Sequence, residues 1–271
     1  RHRPTTSSTS PFTLRSNRRI MARGGKYIYC ITEGADGERF GLQGIGGRGD
    51  ELTPISYRDI AAIVSDSPVM RYPVSRENSL AHERAIEAVF ERHTVLPARF
   101  CTIAEDEARV RTILEREYDD FKALLNEMRD RVEVGVKAIF HETLIYQEIL
   151  ERHGEIRRRK EAVASLPPQK AHWQLVEIGR MVEEALKAAK DRVREEIVEA
   201  LKEACCDFRL THRLLGERMI MNAAFLVDRD REAAFDRAMD GLSERYRERI
   251  AFKYVGGFPP FNFVCLIINV E

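Results

Sequence analysis

Apolar residues along the chain recur at two periods: every second position, as in a half-buried strand, and every third or fourth, as in an amphipathic helix. KYIYCIT, from Lys26, is rich in Tyr and Ile and ends at the turn-forming GADG, which predicts a first strand. Residues 39–42 lead into a glycine-rich stretch, and residues 52–57 and 59–65 read as short extended segments around a turn. Asn78 or Ser79 caps a helix that carries Ala81, Ala85, Ile86, Val89 and Phe90 as far as His93. TVLPARFCTI then reads as extended. Pro97 has no amide hydrogen to give to a ladder, so this strand belongs at an edge or begins there. From Glu105 a second helix places Val110, Ile113, Leu114, Phe121, Leu124, Leu125 and Met128 on one stripe. In VEVGVKAIF, Val132, Val134, Val136 and Ala138 alternate with Glu133, Gly135 and Lys137, the pattern of a strand with one face inward.

This order predicts an α+β fold of two small domains. Residues 26–141 form a ferredoxin-like N-terminal sheet with helices on one face. A helix over residues 142–164 breaks at SLPPQK, and the longest helix, residues 171–204, carries Ile178, Val182, Ala185, Ala189, Val193, Ile197 and Leu201. Residues 142–206 are thus a long helical hairpin. Residues 207–271 return to α+β with DFRLTHRL, MIMNAAFLVD, a helix carrying Phe235, Met239, Leu242 and Tyr246, then IAFKYVGG and an apolar tail. Two sheets of related strand order would account for the chain, although no sequence repeat asserts it. Residues 1–25 are set apart as a disordered leader. Their first twenty residues are rich in Ser, Thr and Arg, contain no acid and lack the apolar core of a secretory signal; an organelle transit peptide and a start at Met21 are the alternatives.

Charge narrows the partners. Forty-four basic and 44 acidic residues cancel, which removes the average positive field that dominates binding to nucleic acid or anionic membranes. No apolar run reaches the roughly 18 to 20 residues that cross a bilayer. The five cysteines, Cys30, Cys101, Cys205, Cys206 and Cys265, show no repeated spacing and predict small core residues in a reducing cytoplasm, not a disulfide framework.

Chemistry has few anchors. Gly44–Gly49, GIGGRG, satisfies G-x-G-x-x-G, but DELTPI follows where a phosphate-binding helix should begin, so the stretch reads as a hairpin loop. His82, His93, His141, His153, His172 and His212 form no catalytic or zinc-ligand spacing with the cysteines. Acidic residues sit three or four positions from Arg or Lys on helices, as on solvated faces, and HGEIRRRK reads as one exposed basic face. The expectation is therefore no enzyme, no cofactor and no metal. The alternative is a ferredoxin-like small-molecule or nucleotide sensor, or enzyme, that uses the glycine loop.

The closing segment, KYVGGFPPFNFVCLIINV, has two readings: a final core strand, or aromatic surface exposed for a partner. Together with KYIYCIT and TVLPARFCTIAEDEARV it makes the chain resemble the GvpL/GvpF family of gas vesicle proteins. The matching residues are Tyr27, Ile28 and Tyr29; Leu96, Pro97, Arg99, Phe100 and Thr102; and Tyr254, Gly256, Pro259, Pro260, Phe261, Asn262, Phe263 and Val264. AAFLVDRDREAAF, residues 223–235, is similar to the family's segment before its last helix. The chain departs from the family at Cys101, where glycine is usual, and at Gly257 and Phe258, where proline and tryptophan are commoner. The resemblance implies an α+β, two-domain accessory protein of gas vesicle assembly, in the cytoplasm or on the vesicle. It would bind the hydrophobic shell protein and other accessory proteins as an adaptor, a chaperone or a minor structural component. It also marks Arg99, Phe100, Phe258, Pro259, Pro260, Phe261, Asn262 and Phe263 as interface or structurally critical residues.

Overall fold

Tyr27, Ile28, Tyr29, Cys30 and Ile31 are all fully buried, which a strand achieves only at the centre of a sheet covered on both faces. The computed structural model, which describes residues 24–41, 44–211 and 216–270, shows this arrangement. Strand β1 (Gly24–Glu33) pairs antiparallel with β3 (Ile60–Pro68) on one side, and with β4 (Val95–Pro97) and β5 (Ile103–Ala104) on the other. β2 (Thr53–Tyr57) pairs with β3, so the order is β2-β3-β1-β4. Helix α1 (Arg76–Phe90) lays Ala85, Ile86, Val89 and Phe90 among Tyr27, Tyr29 and Ile63. Helices α2 (Glu107–Arg116) and α3 (Tyr118–Met128) lay Val110, Ile113, Leu114, Phe121 and Leu125 among Ile28, Ile31, Ala62 and Val64, on the opposite face. The α+β class stands as expected, but the helices cover both faces of this sheet and not one, because β1 is apolar on both.

The second sheet has the order β7-β8-β6-β9, all antiparallel, from β6 (Arg131–Phe140), β7 (Asp207–Leu210), β8 (Met219–Asp228) and β9 (Ile250–Phe258). VEVGVKAIF, expected to close the first sheet, is thus the second sheet's central strand. Between β6 and β7 lie α4 (Glu142–Arg152), α5 (Gly154–Ala164) and the 35-residue α6 (Pro168–Lys202); α7 (Glu232–Arg245) joins β8 to β9. This is the split βαββαβ connection. Both sheets place their second, third, first and fourth strands side by side, so the related order is real. In the first sheet the initial crossover is a loop where the second sheet has helices.

Several boundaries move. The Ser75 hydroxyl, not Asn78 or Ser79, caps α1 by accepting the Asn78 amide at 3.2 Å. The helix expected from Glu105 starts after Asp106, which accepts the Arg109 amide at 2.8 Å, and divides at Glu117. The helix expected over residues 142–164 divides at His153, just before Gly154. Pro167 and Pro168 start α6, as the missing amides at a first helical turn permit. α6 is roughly 50 Å long: residues near Trp173 and Ile178 face α5, residues near Ala185 and Ala189 face α4, and Val193 and Glu196 meet α7. Of the expected leader, Gly24 and Gly25 belong to β1, while residues 1–23, Leu42 and residues 212–215, including His212, lie outside the described residues.

Candidate partner-binding groove at the C-terminal tail

The chain leaves the second sheet at β9 and crosses to the first. Pro259 and Pro260 are buried and make a tight turn, with the Phe261 amide donating to the Pro259 carbonyl (2.7 Å) and the Val264 amide to that of Pro260 (2.9 Å). Asn262 anchors the turn: its amide and its side-chain Nδ2 donate to the two carboxylate oxygens of Glu133, at 2.7 and 2.5 Å. Glu133 is buried, and burial pushes its carboxyl above the usual range while the Asn262 donors pull it back. Phe258 stands opposite Glu133 in the β6–β9 ladder, Phe261 packs half-buried against the core, and the Arg209 guanidinium lies 5.8 Å from the Phe263 ring centre.

Beyond this turn the tail runs along the outer edge of β4 and is tied to it at Leu266. The Leu266 amide donates to Pro97 and its carbonyl accepts from Arg99, at 2.9 and 3.0 Å, in a parallel bridge. Pro97 offers only its carbonyl, which is what a final edge partner requires. Val264, Leu266 and Ile268 point inward while Cys265 and Ile267 point out. Arg109 and Arg116 of α2 donate to the Val270 and Asn269 carbonyls at 3.3 Å. The tail is thus largely core, its phenylalanines are half-buried and not an exposed aromatic surface, and its outward apolar residues are Cys265 and Ile267.

The β4–β5 turn, residues 98–102, rests on a buried polar network. Ala98 O can only accept, so His82 Nε2 carries the hydrogen, at 3.1 Å. Nδ1 then accepts from the Tyr27 hydroxyl (3.1 Å), and that oxygen accepts from the Cys101 amide (2.9 Å). Burial holds His82 neutral, its pKa lowered to about 4. Phe100 meets His82 edge-on, with ring centres 5.7 Å apart. Cys101 has φ of 67°, the left-handed region that glycine favours, and its thiol accepts the Tyr72 amide at 3.3 Å.

Outside this network runs an open groove of about 590 Å³, walled by Arg71, Tyr72 and Val74, by residues 99–102, and by Ile267, Ile268 and Val270 of the tail. Arg99 and Phe100 thus belong to the groove, whereas Phe258–Phe263 join the two sheets beside Glu133. Sequence reading missed Arg71, Tyr72 and Val74, although VMRYPV, apolar residues in a loop between strand and helix, was the available signal. It also missed the exposed Trp173, Leu175 and Val176 on α6.

The glycine loop has structural reasons of its own. A Cβ on Gly44 would collide with Ser65 Oγ, and the Gly44 amide donates to the Asp50 carbonyl at 2.6 Å. β2 follows the loop and pairs with β3, so the loop is a crossover and not the expected hairpin. Cys30 is buried, but Cys206 and Cys265 are exposed, which corrects the expectation that every cysteine is a core residue. Among the described residues no group of His, Cys, Asp and Glu is placed to hold a metal ion, and no helix is long and apolar enough to cross a membrane.

Fold and site together define an α+β protein of two sheets with related strand order, a long helix and an open groove lined by apolar and cationic side chains. The chain belongs to the family described as gas vesicle synthesis protein GvpL/GvpF, which matches residues 25–265. It is 24% identical over 246 residues to gas vesicle protein F of Nostoc sp., covering 88% of this chain and 97% of that one. It is 28% identical over 223 residues to gas vesicle protein F of Streptomyces sp., covering 81% and 92%. Its fold is similar to the crystal structure of GvpF from Anabaena sp. PCC7120, with a TM-score of 0.73 at 22% identity over 89% of this chain and 98% of that one.

Proposed function

We propose that this protein acts in gas vesicle assembly without catalysing a reaction, by binding the hydrophobic shell protein and other accessory proteins as an adaptor or minor structural component. The observation that carries this reading is the apolar rim of the groove, where Val74 and Ile267 are 84% and 77% exposed on a turn and tail that hydrogen bonds hold in place. Exposed apolar side chains on ordered backbone mark contact sites, and a shell of very hydrophobic subunits needs partners that organise such surfaces. The nucleotide-sensor alternative loses its support, because the Gly44–Gly49 loop leads to a strand and offers no helix N-terminus to a phosphate.

The test is co-purification of the tagged chain with the vesicle proteins expressed beside it, comparing wild type with Val74→Ser plus Ile267→Ser. These two side chains are exposed, so the variant should keep the wild-type melting temperature. Loss of the vesicle proteins from the folded variant supports the reading. Failure of wild type to capture any of them overturns it.

A further inference from the structure

We infer that the groove takes an apolar peptide segment of a partner that carries at least one carboxylate, read by Arg71 and Arg99. The inference rests on the assembly reading above and adds the chemistry of the partner. Both arginines line the groove and both are exposed. Among the described residues neither guanidinium makes an ion pair, hydrogen bond or ring contact, and none of those that line the groove is acidic. Elsewhere arginines are neutralised by close carboxylates, as at Arg249–Glu148 and Arg180–Glu177. Two uncompensated positive charges beside Val74, Phe100 and Ile267 complement a ligand that is anionic and apolar at once.

The groove's volume is in the range of ligand sites, about 300–1,000 Å³, but it is open along one side and cannot enclose a small molecule as such sites do. A chain segment that lies along it suits that shape. Guanidinium groups bind carboxylates in a forked, two-bond geometry, so one acidic residue fixes the segment's register while its apolar neighbours cover Val74 and Ile267. The floor is set in advance, with the Cys101 amide held by the Tyr27 hydroxyl and the Thr102 hydroxyl donating to the Arg99 carbonyl at 2.6 Å. Little ordering is then required of the groove when a segment binds.

The experiment uses the full chain and overlapping 12-residue peptides that tile the shell protein and the other vesicle proteins. Each peptide is made in native form and with Asp and Glu replaced by Asn and Gln. Expected is a subset of apolar peptides whose affinity falls about tenfold or more on amide replacement, the loss of one charge-assisted contact. The same peptides should weaken to a similar degree with Arg71→Gln plus Arg99→Gln but not with Arg157→Gln plus Arg158→Gln, exposed arginines on α5. Peptide binding indifferent to both changes overturns the inference. So does arginine-dependent binding to phosphatidylglycerol vesicles with no carboxylate-dependent peptide, which would make the groove a lipid site. Co-purification separates the two levels: vesicle proteins retained by the Arg71→Gln plus Arg99→Gln variant sink this inference alone, while none captured by wild type sinks the assembly reading.

Discussion

Cys101 holds a backbone conformation that strains any residue with a Cβ, at the position where the family resemblance marks glycine. Cys101→Gly removes that strain and keeps the amide that bonds to the Tyr27 hydroxyl, while giving up the weak thiol contact to the Tyr72 amide. The variant should gain about 0.5–1 kcal/mol, read as a higher denaturation midpoint at unchanged slope. His82 below it makes stability depend on pH. Unfolded, the imidazole titrates near its ordinary 6.5; folded, burial lowers this to about 4. Between those values the unfolded chain binds a proton that the native state refuses. The contribution is therefore complete above pH 6.5 and is lost as pH falls toward 4, reaching on the order of 3 kcal/mol. Urea midpoints from pH 4 to 7 should fall more steeply in wild type than in His82→Gln, and equal slopes would mean that the ring is not buried neutral.

Among the elements, strong periodicity was legible and close packing was not. KYIYCIT and MIMNAAFLVD, buried on both faces, show as continuous apolar runs, and the α6 stripe shows because burial of one face leaves a repeat that local reading recovers. Sheet membership did not show for VEVGVKAIF, since alternation says that a strand has an inward face but not which strands flank it. The break at Glu117 was hidden because both helices carry the same apolar stripe across it. The groove was half legible: Arg99 and Phe100 came through the family resemblance, while Arg71 and Val74 join them only because the α1 loop folds back over the β4–β5 turn. The tail's turn depends on a contact 129 positions away in sequence, the Glu133–Asn262 pair, which no local pattern encodes. Asn262→Ala would leave the buried carboxylate without its side-chain donor. A cost of about 2–3 kcal/mol is expected, and Glu133→Leu added to it should recover part of the loss, since an apolar side chain leaves no buried charge behind. Chemical denaturation of the two single variants and the double variant decides this, and full additivity would show that the two residues do not act as a pair.

Across the whole molecule, one apolar cluster already joins the α1 face of the first sheet to the second, and the tail adds a further link between the two. Leu226 of the second sheet shares an apolar cluster with Val264, Leu266, Ile268 and the α2–α3 face of the first. Helix α2 grips the tail's end through Arg109 and Arg116, while β4 holds its middle. Deleting residues 264–270 uncovers the edge of β4, where Pro97 and Arg99 lose their partners in the tail, and removes three buried aliphatic side chains, exposing the core surface they cover. At about 1.5–3 kcal/mol each, the deletion should cost about 4.5–9 kcal/mol. That cost falls mainly on the first sheet, because residues 264–270 bond to β4 and α2, while β6, β8 and β9 keep their own ladder. Hydrogen exchange on the truncated chain should therefore show faster exchange in β1, β4 and α2, with protection in β8 and α7 largely kept. A uniform loss across both sheets would instead mean that the two share one cooperative unit through β6 and that the tail is only part of it.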